Sequence, residues 1–114
     1  MVANGGRLKI DDMINEMCVQ VHDDICKKGF WDEDRELGTT LMLVVSEIAE
    51  ALEADRKGMW ATEEPYKDTF EDEIADTFIR LMDLCGRYQI DIDKHIAWKL
   101  EYNRGRAYKH GKSY

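Results

Sequence analysis

At 114 residues and 44% hydrophobic content, the chain can build one domain with a real core and has no room for a second. A formal net charge of −8 speaks against a nucleic-acid binder, whose affinity comes largely from neutralised phosphates. No apolar run approaches the ~20 residues of a membrane span, and Met1-Val2-Ala3-Asn4-Gly5-Gly6 lacks the apolar core of a signal peptide, so the expected compartment is the cytosol.

In chain order, the first predicted helix runs from about Arg7 to Lys27, with Ile10, Met13, Ile14, Met17, Cys18, Val21 and Ile25 at three- and four-residue spacing. Gly29 ends it, and Phe30-Trp31-Asp32-Glu33-Asp34 reads as a loop. The second helix spans about Arg35 to Lys57, with Leu41, Val44, Val45, Ile48 and Leu52 as its core stripe and Gly58 beyond its end. Met59 to Lys67, which contains Pro65, is irregular. The third helix spans about Asp68 to Tyr88 on a stripe of Phe70, Ile74, Phe78, Leu81 and Cys85. Asp68 or Thr69 can cap it, and acids fill its first turn. A shorter fourth helix covers about Asp91 to Asn103, and residues from about Arg104 to Tyr114 read as a loop or basic tail. With no β alternation of useful length, the expected fold is all-α: one domain over 1–114, a four-helix bundle-like protomer with an antiparallel central helix pair. Cys18, Cys26 and Cys85 lie in these helical patterns without a C-x-x-C pair and read as reduced thiols. Charge is unevenly spread: Lys99, Arg104, Arg106, Lys109 and Lys112 face only Glu101 between Lys99 and Lys112, on an otherwise acidic chain. Such a split suits a site that holds cations and polyphosphate together.

Two acid pairs stand out. Glu47 and Glu50 on the second helix, and Glu73 and Asp76 on the third, share the i, i+3 spacing that projects both side chains from one face. At about 100° per residue, and with Ile48 and Ile74 as origins, each pair lies at about −100° and −160° from its stripe. Stripe-to-stripe antiparallel packing keeps both pairs on the same side, and the short connection favours that hairpin. The pairs also stand at similar distances from the middle of the connection, near Ala61, so they are expected to meet. Leu43 and Ala54 lie on the same side as the acids of the second helix, which marks this face as a covered one. Four ionised acids in one patch require a compensating cation. Hard oxygen ligands without His or Cys select Mg²⁺, with Mn²⁺ as a substitute. A di-iron bundle is disfavoured, since no glutamate stands three residues before His22, His95 or His110.

Glu47-x-x-Glu50 followed by Glu73-x-x-Asp76 resembles the signature of the MazG-like all-α nucleoside triphosphate pyrophosphatases. The likeness extends to Lys28-Gly29-Phe30-Trp31, to Ser46-Glu47-Ile48-Ala49-Glu50-Ala51-Leu52-Glu53, and to Tyr102-Asn103-Arg104 with Tyr108-Lys109-His110-Gly111-Lys112. Many members carry a further glutamate directly before the first motif, where this chain has Ser46. The resemblance implies an Mg²⁺-dependent hydrolase that converts (deoxy)nucleoside triphosphates to monophosphate and pyrophosphate, built as a homodimer or homotetramer. Hydrolysis of another pyrophosphate-containing nucleotide, or a non-catalytic nucleotide-binding bundle, are the alternatives.

On that footing Glu47, Glu50, Glu73 and Asp76 are expected as metal ligands, with Glu50 preferred as the residue that activates water. Related enzymes stack a base on a Trp at the position of Trp31, and His22 resembles a second nucleoside contact; a plug beneath the loop is the plainer reading of Trp31. Lys99 and Asn103, which share a helix face, are the candidates for the phosphates together with Arg106 and Lys109. Arg80 lies on the acid-bearing side of the third helix and can temper the repulsion there, and Asp83, one turn on, is a candidate outer acid.

Overall fold

A computed structural model describes residues 3–4, 7–8, 12–62 and 66–106. Two short strands, β1 (Ala3–Asn4) and β2 (Arg7–Leu8), pair antiparallel with Ala3 opposite Leu8. Four helices follow: α1 (Met13–Lys27), α2 (Leu37–Arg56), α3 (Phe70–Arg87) and α4 (Ile92–Arg104). Among the described residues the protein is therefore all-α, with four helices, apart from that two-residue ladder. Helix one starts six residues later than the periodicity predicts. Asp12, at φ 50°, sits in the left-handed region, which a continuing right-handed helix excludes.

The helix ends follow local chemistry. Thr69 caps α3 by accepting a hydrogen bond from the Asp72 amide at 3.3 Å, and Glu71, Asp72 and Glu73 occupy the first turn. Asp91 caps α4 by accepting from the Lys94 amide. Gly58, at φ 69°, turns the chain out of α2. The connection to α3 then closes on itself. The Met59 amide donates to the Ala54 carbonyl, the Phe70 amide donates to the Met59 carbonyl, and the Trp60 ring stacks on Phe70 at 4.1 Å.

Helix α3 is the shared partner: α2 and α1 both pack on it. Glu47 of α2 meets Arg80 of α3, whereas the later Met59 meets the earlier Phe70, so the two helices run antiparallel as expected. Helix α1 also runs antiparallel to α3, since Cys18 approaches Gly86 while His22 meets Asp83. At the α1–α3 crossing Gly86 admits the neighbour because it has no side chain: a Cβ there would lie 2.6 Å from the Cys18 carbonyl oxygen. Helix α4 is stitched to the start of α1 by Asn15, whose side-chain oxygen accepts from the Ile92 and Asp93 amides and whose own amide donates to Asp93.

The central pair does not pack stripe to stripe. Buried on α2 are Thr40, Val44, Ala51 and Ala54, with Glu47 half-buried, and the predicted stripe of Leu41, Val45, Ile48 and Leu52 is exposed; Ile48 is 51% exposed. Taking Ile48 as origin, the packed face centres about 80° away, on the acid side. On α3, Glu73, Asp83, Leu84 and Cys85 are buried; of the predicted stripe Cys85 is thus buried, Phe70 and Ile74 are half-buried, and Phe78 and Leu81 are exposed. Helix α2 is apolar on two faces, so hydrophobic periodicity cannot select which one packs; the small residues Ala51 and Ala54 permit the closer approach on the acid side. The acids still converge, now in the seam between the helices. Leu41, Val45, Ile48 and Leu52 of α2 are left exposed, with Phe78 and Leu81 of α3.

All three cysteines are free, Cys18 and Cys85 buried and Cys26 half-buried. Burial pushes the Cys18 thiol up to about 11, with Cys85 beside it adding to the rise, and also raises Cys85. Among the described residues, no helix is long and apolar enough to cross a membrane.

Candidate metal and nucleotide site

Carboxylate oxygens of Glu47, Glu73 and Asp76 lie within 4.8 Å of one another in the α2–α3 seam. Glu73, only 5% exposed, is at their centre. Its Oε2 is buried and has no hydrogen-bond partner among the described residues. Burial pushes the Glu73 carboxyl up to about 7; the adjoining Glu50 carboxylate, within hydrogen-bonding reach, and the charges of Glu50, Asp76 and Glu47 add to the rise. Asp76 is raised as well, first by burial and then by Asp72 and Glu47, against the opposing charge of Arg80. Arg80 donates through Nε to Glu47 Oε1 at 2.8 Å, which is the tempering contact its position in the sequence suggests.

Of the four predicted ligands, then, three converge directly. Glu50 is exposed and adjoins Glu73 without joining that group. It lines a second cleft of about 350 Å³ with Glu53, Lys57 and Asp68. Asp68 and Asp72 also bring carboxylate oxygens within 4.8 Å of Glu73. Asp72 was not singled out in the sequence. Its signal was its place in the first turn of α3, one residue before Glu73, where acids are commonly explained by the helix dipole alone.

A separate cavity of about 300 Å³ also borders the acid cluster. Glu47, Asp76, Arg80 and Asp83 form one part of its lining, and Ile25, Phe30, Arg35 and Ile79 the rest. It combines apolar wall, guanidinium groups and carboxylates, the mixture expected of a small-molecule pocket with a few convergent polar groups. Arg35 is a residue that sequence reasoning missed. It precedes the first turn of α2, where helical periodicity gives no information about side-chain direction.

The nucleoside-side candidates form a closed unit. Asp83 is buried. It accepts from the Trp31 indole Nε1 at 3.0 Å through both carboxylate oxygens and lies 2.7 Å from His22 Nδ1 through Oδ1. Trp31 is 8% exposed, and the Arg35 and Arg87 guanidiniums lie 4.3 and 4.6 Å from its ring centroid. His22 meets the ring edge at 5.8 Å. Trp31 thus anchors the α1–α2 loop to α3, and its ring is already covered by side chains. Arg87 also pairs with Asp34 of the same loop.

The cationic candidates stand apart from the acids. Lys99 Nζ lies over the Trp98 and Tyr102 rings at 5.7 and 5.1 Å, and Arg106 lies 5.5 Å from the Tyr102 centroid. Asn103 is exposed on α4. None of these three lines either cavity at the acid cluster. Lys109 lies outside the described residues. Compared with known protein families, curated proteins and solved structures, this four-helix chain with its seam of acids matches none.

Proposed function

We propose that the protein is a Mg²⁺-dependent nucleoside triphosphate pyrophosphohydrolase of the MazG-like kind, converting (deoxy)nucleoside triphosphates to monophosphate and pyrophosphate. The observation that carries the reading is Glu73: a buried carboxylate with an unpartnered oxygen, penalised for ionising, and surrounded by Glu47, Glu50 and Asp76. An all-carboxylate set of this kind fits a hard divalent cation and no soft one. Glu47, Glu73 and Asp76 would hold it, with Glu50 at the margin. When bound, Mg²⁺ neutralises phosphate charge and acidifies water.

The remaining steps belong to the chain. Arg35 and Arg80 line the neighbouring cavity and can pair with phosphate oxygens, Arg80 by exchanging its Glu47 contact for one with substrate. Glu50, which adjoins Glu73 and lines the second cleft, would accept a proton from a water attacking from that cleft. A bond forms from the water oxygen to the α-phosphorus as the bridging α–β bond breaks, and pyrophosphate leaves with the electron pair. Little covalent work falls to the protein; positioning and charge neutralisation suffice.

Assembly belongs to the same proposal. The α2 stripe of Leu41, Val45, Ile48 and Leu52 is exposed, as are Phe78 and Leu81 of α3, and patches of this breadth mark interaction surfaces. A homodimer or homotetramer would cover it, and would also allow the α4 cations of one copy to serve the acids of another. The decisive experiment is product analysis for the full chain with Mg²⁺ and a panel of nucleoside triphosphates. Monophosphate and pyrophosphate are expected, with turnover lost in Glu50→Gln. Release of inorganic phosphate would refute the bond position; a folded chain that binds nucleotides without turnover would leave a non-catalytic binder.

A further inference from the structure

If the site takes nucleotides, the base needs a ring to stack on, and Trp31 does not offer one. Its faces are covered by Arg35 and Arg87, and its indole N–H is committed to Asp83. The adjacent residue differs on every count. Phe30 is 62% exposed and lines the cavity beside the acid cluster. Its backbone is fixed by the Arg35 guanidinium, which donates to the Phe30 carbonyl at 2.8 Å, so the ring is presented from a held loop.

Asp83 lines the same cavity. Its Oδ1 contacts both Trp31 and His22, whereas Oδ2 contacts Trp31 alone. Each carboxylate oxygen has two lone pairs, so Oδ2 keeps one acceptor position. An exocyclic amino group satisfies that position; a base carbonyl placed there would set oxygen against oxygen.

Resting on the function proposed above, we infer that Phe30 stacks on the nucleobase and Asp83 accepts from its exocyclic amino group, so that nucleotides of cytosine, adenine or guanine are preferred over those of uracil or thymine. Trp31 is then a positioning residue that sets the direction of the Asp83 carboxylate.

The test is steady-state kinetics of the full chain with dCTP, dATP, dGTP, dTTP and dUTP, for wild type, Phe30→Ala, Phe30→Tyr and Asp83→Asn. Phe30→Ala is expected to raise KM for the amino-bearing substrates about ten-fold with little change in kcat, a loss typical of one base–aromatic stack. Phe30→Tyr should restore it. Asp83→Asn, which can exchange an acceptor for a donor, should narrow or reverse the preference against dUTP. Because Phe30 is exposed, its variants test the inference even where Asp83→Asn fails to fold. Turnover with a KM indifferent to Phe30→Ala, or dTTP and dUTP used as well as the others, overturns this inference alone. Absence of turnover and binding with every nucleotide overturns the pyrophosphohydrolase reading and this inference with it.

Discussion

Replacing Glu73 by Gln keeps the shape of the side chain and removes its charge. The folded chain holds this carboxyl at about 7, against an ordinary 4.5, chiefly through burial and the neighbouring acids. At about 1.4 kcal/mol for each tenfold change in proton affinity, a rise of that size is worth about 3 kcal/mol as an upper figure. The sign follows from proton uptake. The native state binds this proton more tightly than the unfolded chain, so the associated stability is fully present below about pH 4.5 and is lost as the pH rises through about 7. Without a divalent cation, Glu73→Gln is therefore expected to be more stable than wild type at about pH 8, by up to about 3 kcal/mol, and nearly equal to it at about pH 5. For a chain of this length that corresponds to a rise in Tm on the order of 10 °C. Thermal melts followed by circular dichroism at both pH values, in chelator and again in Mg²⁺, measure it. Mg²⁺ should stabilise wild type as binding to the native state requires, and should do little for the variant. A variant no more stable than wild type at the higher pH, or one that Mg²⁺ stabilises equally, would refute the account of Glu73.

Gly86→Ala should invert the usual benefit of removing a helical glycine. A Cβ would meet the Cys18 carbonyl and His22 Cβ at 2.6 Å, so denaturant unfolding should show a loss of about 1–3 kcal/mol. Gly38→Ala on α2, with nothing within 4 Å of the new methyl, should gain about 0.5–1 kcal/mol. Thr69→Ala removes the α3 cap and should cost about 1 kcal/mol by the same measurement. Ile48→Glu places a charge on the exposed flank; sedimentation velocity should show a smaller species with unchanged helicity, and an unaltered mass would remove Ile48 from the interface.

Helix number, order and approximate ends were legible because each helix carries a periodic pattern and a punctuating residue, such as Gly58 after α2 and Thr69 before α3. The first helix was overextended because Ile10 continues the apolar spacing while the backbone turns at Asp12. Convergence of Glu47, Glu73 and Asp76 was legible from their matched phase, although the face that packs was misjudged. A helix with Leu41, Val45, Ile48 and Leu52 on one side and Val44, Ala51 and Ala54 on another offers two apolar surfaces, and periodicity ranks them by hydrophobicity where close packing ranks them by fit. The environment of Trp31 was not legible: of the two guanidiniums on its ring, Arg35 comes from the same loop, where no periodicity gives side-chain direction, and Arg87 from the end of α3. Lys99 and Asn103 are one turn apart on α4, but whether they line the acid-cluster cavities depends on how α4 docks on α1, which the side-chain pattern of α4 does not encode.

Besides its contacts with the helices it joins, the loop between α1 and α2 is fastened to α3, through Trp31 on Asp83 and Asp34 on Arg87. The cavity beside the acid cluster is walled by α1 through Ile25, by the loop through Phe30, by α2 through Glu47 and by α3 through Asp76, Ile79, Arg80 and Asp83, so the loop is tied to the helix that faces it across the cavity. Of the three tryptophans, Trp31 alone makes this attachment, since Trp60 stacks in the α2–α3 connection and Trp98 lies out on α4. A chain with Trp60 and Trp98 replaced by Phe would carry its own fluorescent gauge of the loop's hold on α3, with indole emission reporting whether the two arginines still lie on the ring.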